Sequence, residues 1–216
     1  MTIYARRSLA AIAARWDAKA DVWDEQLLDA DCHLNEDEAY ERFLQVARDQ
    51  VCQRRDFCAR TGVIDAGCGT GLVLRQVMGS FDWGIGVDIS AKMVRAARRK
   101  RMKNARFVVG DCFQLPELVP PAGAILSRGV LLSHYGLKHG RALLRAARQA
   151  LAPGGFLLFD FLNAQGQASS AHAAKHKRWF QAGEVRAMAR DAGLARIRVL
   201  GARHLRVRIL LAHAPA

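Results

Sequence analysis

The sequence predicts an α/β fold, a doubly wound and mostly parallel sheet with helices on both faces. Three observations carry that prediction. An apolar strand at Val63 and Ile64 runs through Asp65 and Ala66 into a turn with glycines at 67, 69 and 71, and an amphipathic segment from Leu72 to Val77 follows. A second apolar strand, Trp83 to Val87, closes on Asp88 and is again followed by a helical pattern. Further strands at 106–109, 124–127 and 156–161 alternate with helical stretches, the succession that gives crossovers and parallel pairing. Glycines suit the first turn because the chain must bend sharply there and a ligand must approach the backbone more closely than a Cβ allows.

The details of that turn separate two cofactors. A dinucleotide fingerprint reads G-x-G-x-x-G, whereas this turn reads G-x-G-x-G with Asp65 two residues ahead of the first glycine. The stretch Asp65-Ala66-Gly67-Cys68-Gly69-Thr70-Gly71 resembles the glycine-rich loop of the class I S-adenosylmethionine (SAM) dependent methyltransferases, well spaced over residues 60–160 and more loosely beyond. The resemblance implies SAM as cofactor and S-adenosylhomocysteine (SAH) as product, with a seven-stranded sheet whose last strand is antiparallel. It implies cofactor contacts at Asp65, Gly67, Cys68, Gly69 and Gly71, at Asp88 and Ile89, at Asp111 and Cys112, and at Ser127. Asp88 lies 17 residues past Gly71, where the family's acid holds the ribose. A carboxylate is acceptor-only, so it can take a hydrogen bond from each hydroxyl of a cis diol. Gly110-Asp111-Cys112 resembles the third family motif, whose acid accepts from the adenine amino group; a loop acid without a ligand is the other reading.

Residues 1–60 read as an N-terminal helical lid and 61–216 as the cofactor-binding domain. From Ser8 to Leu28, apolar residues including Trp16 and Trp23 recur at three- and four-residue steps, so one helical face needs covering. The two tryptophans either pack an accessory helix or also line a substrate pocket, as in the small-molecule methyltransferases that Trp16-Asp17-Ala18-Lys19-Ala20 resembles. Asn35 can cap a helix with an acidic first turn, and Tyr40, Phe43, Leu44, Ala47, Val51 and Cys58 place it as one long amphipathic helix up to Thr61-Gly62.

Ser90 caps a helix whose polar face carries Lys92, Arg95, Arg98, Arg99, Lys100, Arg101 and Lys103, either a solvated face or a surface for nucleic acid or an acidic partner. A helix over 141–151 stops at Pro153-Gly154-Gly155, and residues 164–177 form a small, polar, basic loop over the site. A helix at 184–192 and two strands, 196–200 and 205–212, close the chain, with arginines alternating with Ile197, Val199, Val207 and Ile209 as an exposed ladder.

Composition bounds the function. The chain has 216 residues and a formal net charge of +13, with 51% hydrophobic and 25% charged residues, so one soluble domain with an appendage is expected. No apolar run approaches the ~20 residues needed to span a bilayer, and Arg15 and Asp17 interrupt any leader-like segment, so a cytoplasmic location is expected. The five cysteines form no CxxC pair and the seven histidines no zinc spacing, so no metal is expected. The charge raises nucleic acid as a partner. However, the chain after 124–127 lacks the Asn-Pro-Pro-Tyr run of the family's amino-methylating nucleic-acid enzymes and any Pro-Cys nucleophile.

That chain is Arg128-Gly129-Val130-Leu131-Leu132-Ser133-His134-Tyr135, where the family places residues facing methyl donor and acceptor. Methyl transfer is an in-line displacement, so alignment of the nucleophile about 3–3.5 Å from the methyl carbon is the main task. His134 is the candidate base or an orienting group. Tyr135 orients the acceptor or packs, and Arg128 clamps a substrate carboxylate or phosphate or pairs with a neighbouring Asp. Asn163, after the fifth strand, is a further candidate for substrate contact. The sequence thus predicts a SAM-dependent methyltransferase of a small-molecule O, N or S acceptor, monomeric or homodimeric and without membrane contact. The competing readings are an RNA methyltransferase, a non-catalytic SAM-binding subunit and an NAD-dependent reductase.

Overall fold

The computed structural model describes residues 9–28, 38–167 and 177–216. In order they form α1 (Leu9–Asp17), α2 (Trp23–Leu28), α3 (Ala39–Gln53), α4 (Arg55–Cys58), β1 (Gly62–Ala66), α5 (Leu72–Val77), β2 (Trp83–Asp88), α6 (Ala91–Arg99), β3 (Ala105–Val109), α7 (Leu115–Leu118), β4 (Ala122–Ser127), α8 (Leu137–Gln149), β5 (Leu151–Leu162), α9 (Ala182–Asp191), β6 (Ala195–Leu200) and β7 (Val207–His213). The strands make one seven-stranded sheet in the order β3-β2-β1-β4-β5-β7-β6. β1 to β5 pair in parallel, and β7 runs antiparallel to both β5 and β6. The doubly wound mostly parallel sheet with a reversed last strand is therefore as predicted.

The parallel strand order runs outward from the β1–β4 pair, to β2 and β3 on one side and to β5 on the other, so the topological switch lies at the carboxyl ends of these two strands. Alternate residues of the strands feed two buried cores. Ile64, Ile85, Ile125, Leu157 and Phe159 pack with Leu143 and Leu144 of α8 and Met188 of α9. Val63, Ala124, Leu126, Phe156 and Leu158 pack with Phe43 and Leu44 of α3, Leu74 of α5 and Val94 of α6. With helices on both faces, β1 and β4 are buried at every position, which is why they read as continuous apolar runs.

Several boundaries differ from the sequence reading. The long helix before β1 breaks at Arg54 (φ −131°), whose guanidinium donates to the Gly154 carbonyl and ties the break to the β5 bulge. Its predicted cap Asn35 lies outside the described residues, and the helix begins at Ala39 after Glu38 in the left-handed region (φ 56°). α8 starts at Leu137 and ends at Gln149, because Leu151 already pairs with Ala122 as the first residue of β5. The glycines at 154 and 155 therefore sit in a strand irregularity, where a Cβ on Gly155 would lie 2.9 Å from two carbonyl oxygens. Of the predicted 164–177 loop, residues 168–176 lie outside the described ones and 164–166 form a 3₁₀ turn.

The arginine ladder is split. Arg196 and Arg198 of β6 are exposed, but Arg206 and Arg208 are buried. β7 lies between β5 and β6, and both its faces are covered: Leu210 and Ala212 pack into one core and Val207, Ile209 and Leu211 into the other, whereas β6 is an edge strand. Arg208 donates to the Val199 carbonyl at 3.2 Å, and the Arg206 guanidinium lies 5.6 Å from the Trp179 ring.

Candidate active site

The turn after β1 is held by backbone bonds across the switch point. The amides of Gly67 and Cys68 both donate to the Val87 carbonyl, at 2.8 and 3.1 Å. Gly67, Gly69 and Gly71 have φ of 74°, 52° and 81°, left-handed values that make glycine the residue of choice. The Asp88 carboxylate, buried at the end of β2, completes the cradle: Oδ2 accepts from the Gly69 amide and Oδ1 from the Ser90 amide, each at 2.8 Å. Burial raises its pKa, and these two bonds oppose the rise. Each oxygen keeps a further lone pair for an incoming hydroxyl.

A cavity opens over this cradle. Gly67, Gly69, Asp88, Ile89, Asp111 and Cys112 line it from the β1–β3 side. Ile12, Trp16, Trp23, Arg128, Leu131, His134 and Tyr135 line it from α1–α2 and the segment after β4. The Asp111 carboxylate accepts from the Phe113 amide at 3.0 Å, which fixes its rotamer at the cavity edge. The predicted tryptophans do reach the cavity. Trp16 stands edge-on to Trp23 at 5.4 Å and to His134 at 5.8 Å, and the Trp23 indole nitrogen would lie 3.0 Å from a Cβ on Gly69.

Two aspartates tether this N-terminal segment to the cofactor-side loops. Asp17 accepts from the Ser90 hydroxyl at 2.5 Å and from the Lys92 amide at 3.0 Å, bonds that lower its pKa. Asp24 accepts from the Thr70 hydroxyl and pairs with Lys100 at 2.6 Å.

Asp65 lies beneath the cradle, 1% exposed, accepting from the Leu74 amide and leaving Oδ2 without a partner. Burial pushes its pKa up to about 7, and the Asp88 charge adds to the rise. Between pH 3.8, its ordinary value, and about 7 the folded state holds a proton that the unfolded chain has released. Stability therefore falls as pH rises through this window and levels above it. Asp65→Asn is expected to stabilise the ligand-free protein by about 1–3 kcal/mol at pH 8 and by less at pH 5. Urea unfolding at the two pH values checks this; a gain independent of pH would contradict it.

The segment after β4 is shaped by a carboxylate from the next strand. Asp160 interrupts the apolar run of β5, is 2% exposed, and accepts from the Gly129 amide at 3.1 Å and the Val130 amide at 2.6 Å. It thereby holds Val130 at φ 57°, ψ 39°, a left-handed conformation that is strained for a β-branched residue. Burial raises the Asp160 pKa while the neighbouring Arg128 charge lowers it. Arg128 is 7% exposed with its guanidinium 5.2 Å from the Tyr40 ring. Further on, the Ser133 hydroxyl accepts from the Leu162 amide at 2.8 Å, and Tyr135 packs edge-on to Phe113 at 4.9 Å.

His134 is 3% exposed. Burial drives its pKa well below 6.5, and the charges of Lys177, Arg15 and Lys19 push it the same way. The imidazole is therefore neutral at pH 7 and a poor proton acceptor. Cys68 and Cys112 have pKa values raised first by burial, so they remain thiols and pack as small side chains. Among the described residues no cluster suited to a metal is found.

Eleven of the residues singled out from the sequence thus meet at the cavity: Trp16, Trp23, Gly67, Gly69, Asp88, Ile89, Asp111, Cys112, Arg128, His134 and Tyr135. Asp65, Cys68, Gly71 and Ser127 lie behind the lining; the Ser127 hydroxyl donates to the Ala66 carbonyl at 2.7 Å and joins β4 to β1. Asn163 is a correction. It is fully buried and its amide donates to the carbonyls of Arg203 and Leu205 at 2.7 and 2.8 Å, so it fastens the chain before β7 and does not line the cavity. Asp17, Asp24 and Asp160 were missed. Only the lone acid inside the apolar run of β5 was a visible signal for one of them.

Known proteins resemble this chain in sequence over its middle and in fold over most of its length. A family model described as a methyltransferase domain matches residues 63–155. A malonyl-[acyl-carrier protein] O-methyltransferase of Erwinia pyrifoliae is 31% identical over 135 residues, 61% of this chain and 47% of that protein. A ubiquinone biosynthesis O-methyltransferase of Idiomarina loihiensis is 27% identical over 104 residues, 47% of this chain and 42% of that one. The matches thus span less than half the length of these curated relatives. In fold, magnesium protoporphyrin IX methyltransferase of Synechocystis PCC 6803 with bound SAH has a TM-score of 0.70 at 19% identity, covering 96% of this chain and all of that one. DesVI of Streptomyces venezuelae has a TM-score of 0.69 at 20% identity, over 91% and 98% of the chains. The [4+2]-cyclase SpnF has a TM-score of 0.70 at 16% identity, over 95% of each. By sequence over residues 63–155 and by fold over almost its whole length, the protein resembles the class I SAM-dependent methyltransferases that act on small molecules.

Proposed function

We propose that the protein transfers a methyl group from SAM to a small-molecule acceptor. The observation that carries this reading is the acidic glycine cradle: Asp88, fixed by two backbone amides, faces a cavity whose far wall is Arg128, His134 and Tyr135. The fit to SAM rests on the Asp88 carboxylate in the cavity wall and on the left-handed glycines of the turn. The buried Asp88 carboxylate there favours a cationic ligand over a second anion such as a pyrophosphate. Bound SAM supplies an electrophilic methyl group on a sulfonium, transferred in line.

The chain's own residues would do the rest. Asp88 would accept from the ribose hydroxyls and Asp111 from the adenine amino group, with Ile89 and Cys112 as apolar walls. Trp16, Trp23 and Leu131 would exclude water, which strengthens electrostatic interactions inside. α1 and α2 would act as a lid, with Asp17 and Asp24 as its tethers. Tyr135 and Arg128 would orient the acceptor, and His134, neutral and buried, is better suited to accept a hydrogen bond than to remove a proton from an alcohol.

The test is incubation with methyl-labelled SAM and a cell extract, fractionated into small molecules, RNA and protein. Label among the small molecules is expected; SAM binding without label anywhere would refute catalysis. One observation favours a second reading, an RNA substrate: Lys92, Arg95 and Arg99 on α6 are exposed. That face is partly consumed within the chain, because Arg98 donates to the Phe107 carbonyl at 2.7 Å and Lys100 pairs with Asp24. Label in the RNA fraction would select it. No described helix is long and apolar enough to cross a membrane.

A further inference from the structure

The wall of the cavity that faces the cradle is a 3₁₀ turn, Leu131–His134, followed by Tyr135. So short a turn makes few bonds of its own, and its position has to be set from outside. Asp160 fixes its leading end through the Gly129 and Val130 amides. Its trailing end is fixed at Ser133, which is fully buried and engaged in three ways. The Ser133 amide donates to the Val130 carbonyl at 2.9 Å, its hydroxyl accepts from the Leu162 amide at 2.8 Å, and its carbonyl accepts from the Arg178 amide at 2.6 Å. His134 and Tyr135, the next two residues, both line the cavity.

The third of these bonds comes from a short stretch, residues 177–181, that runs beside the end of β5 and pairs with Asn163 as an isolated bridge. Phe180 anchors it. Its amide donates to the Leu162 carbonyl at 2.8 Å, its carbonyl accepts from the Ala164 amide at 2.9 Å, and its ring is buried in one core with Val185 and Met188 of α9. On one side Lys177 is close enough for its charge to act on His134. On the other, Glu184 in the first turn of α9 ties the stretch back on itself: one carboxylate oxygen pairs with the Arg178 guanidinium at 2.7 Å and the other accepts from the Gln181 amide at 2.8 Å. Neither Arg178 nor Glu184 lines the cavity.

We propose that Arg178 and Glu184 are positioning residues for methyl transfer: their ion pair fixes the Arg178 amide against the Ser133 carbonyl and so holds His134 and Tyr135 in register with the cradle. This rests on the methyl-transfer reading above and deepens it by naming what aligns the acceptor wall. The two side chains are 35% and 30% exposed, and an exposed ion pair adds little to global stability. Its effect is geometric. An in-line displacement tolerates little misalignment, whereas SAM would be held from the opposite wall, by Asp88 and the glycine turn.

Arg178→Gln and Glu184→Gln each break the pair, and the second keeps an acceptor for the Gln181 amide. Arg178→Lys can restore it. Arg141→Gln is the control, since it breaks another partly exposed pair, Arg141 with Asp191 at 2.9 Å, between α8 and α9. Two readouts are taken on the same preparations: hydrogen–deuterium exchange of the peptide spanning 130–136 in the ligand-free protein, and single-turnover transfer of tritium from methyl-labelled SAM to the small molecules of a deproteinised cell extract. In both Gln variants exchange of that peptide should quicken about tenfold, as a lost anchor implies for local opening. Transfer should slow about tenfold or more, with SAM affinity within about twofold of wild type. Arg178→Lys and Arg141→Gln should stay near wild type in all three. Unchanged exchange in both folded Gln variants would overturn the hold of the pair on this wall. Faster exchange with transfer at the wild-type rate would overturn the positioning role, and so would a loss of SAM affinity equal to the loss of rate. A wild-type protein that transfers no label, while exchange changes as expected, would defeat the methyl-transfer reading itself and leave the pair's hold on the wall supported.

Discussion

Asp88→Ala is expected to weaken SAM binding by about 1.5–3 kcal/mol, roughly 10- to 150-fold, the range for hydrogen bonds to a charged group. The structure adds a second consequence. The same carboxylate satisfies the amides of Gly69 and Ser90, so its loss leaves two buried donors unpaired in the turn and at the start of α6. Each such group costs about 1–3 kcal/mol, so a lower melting temperature is expected along with the lost affinity. Asp88→Asn keeps one acceptor oxygen and should fall between alanine and wild type in both measurements. Calorimetric titration and thermal unfolding of the three proteins check this. A folded Asp88→Ala protein with wild-type SAM affinity would show that the carboxylate does not hold the ribose.

Asp160→Asn should separate turnover from cofactor binding. The carboxylate reaches no predicted cofactor position; it holds the Gly129 and Val130 amides beside Arg128 and keeps Val130 in its left-handed conformation. An asparagine has one acceptor where two amides need partners, and it leaves the Arg128 charge without its carboxylate. The strained turn should then relax, moving Arg128, His134 and Tyr135 out of register with the cradle. A displacement near 1 Å costs on the order of 100-fold in rate, so turnover should fall by about that factor. SAM affinity should change far less, because Asp65, Asp88 and Asp111 are untouched. Single-turnover rates and SAM affinity measured on the same preparation decide the matter. Equal losses in both would make Asp160 a fold residue alone.

The cradle was legible because its signal is local. Asp65, the three glycines, Asp88 and Asp111 each stand at the carboxyl end of a strand, and strand ends can be read from apolar runs and turn residues. The acceptor side was legible only as a stretch. Residues 128–135 could be placed after β4, but their conformation depends on Asp160, 30 residues from Val130, and only the β4–β5 register brings the two together. The tethers are more distant still. Asp17 meets Ser90 across 73 residues and Asp24 meets Lys100 across 76, contacts that no periodicity encodes.

The errors have the same origin. Alternation of arginines with apolar residues suggested two half-exposed strands, and this holds for β6 at the edge. It fails for β7, whose two faces both pack into a core, and Arg206 and Arg208 are buried. Asn163 followed the apolar run of β5 and resembled a pocket residue by position. Its side chain instead turns to the chain before β7, whose path was not readable.

The central claim is that the acidic glycine cradle is a SAM site, and titration of SAH into the purified protein, with NADH titrated in parallel, tests it most directly. Saturable one-site binding of SAH, weakened in Asp88→Ala, is expected, with none of NADH. Binding of NADH with no heat from SAH would contradict it.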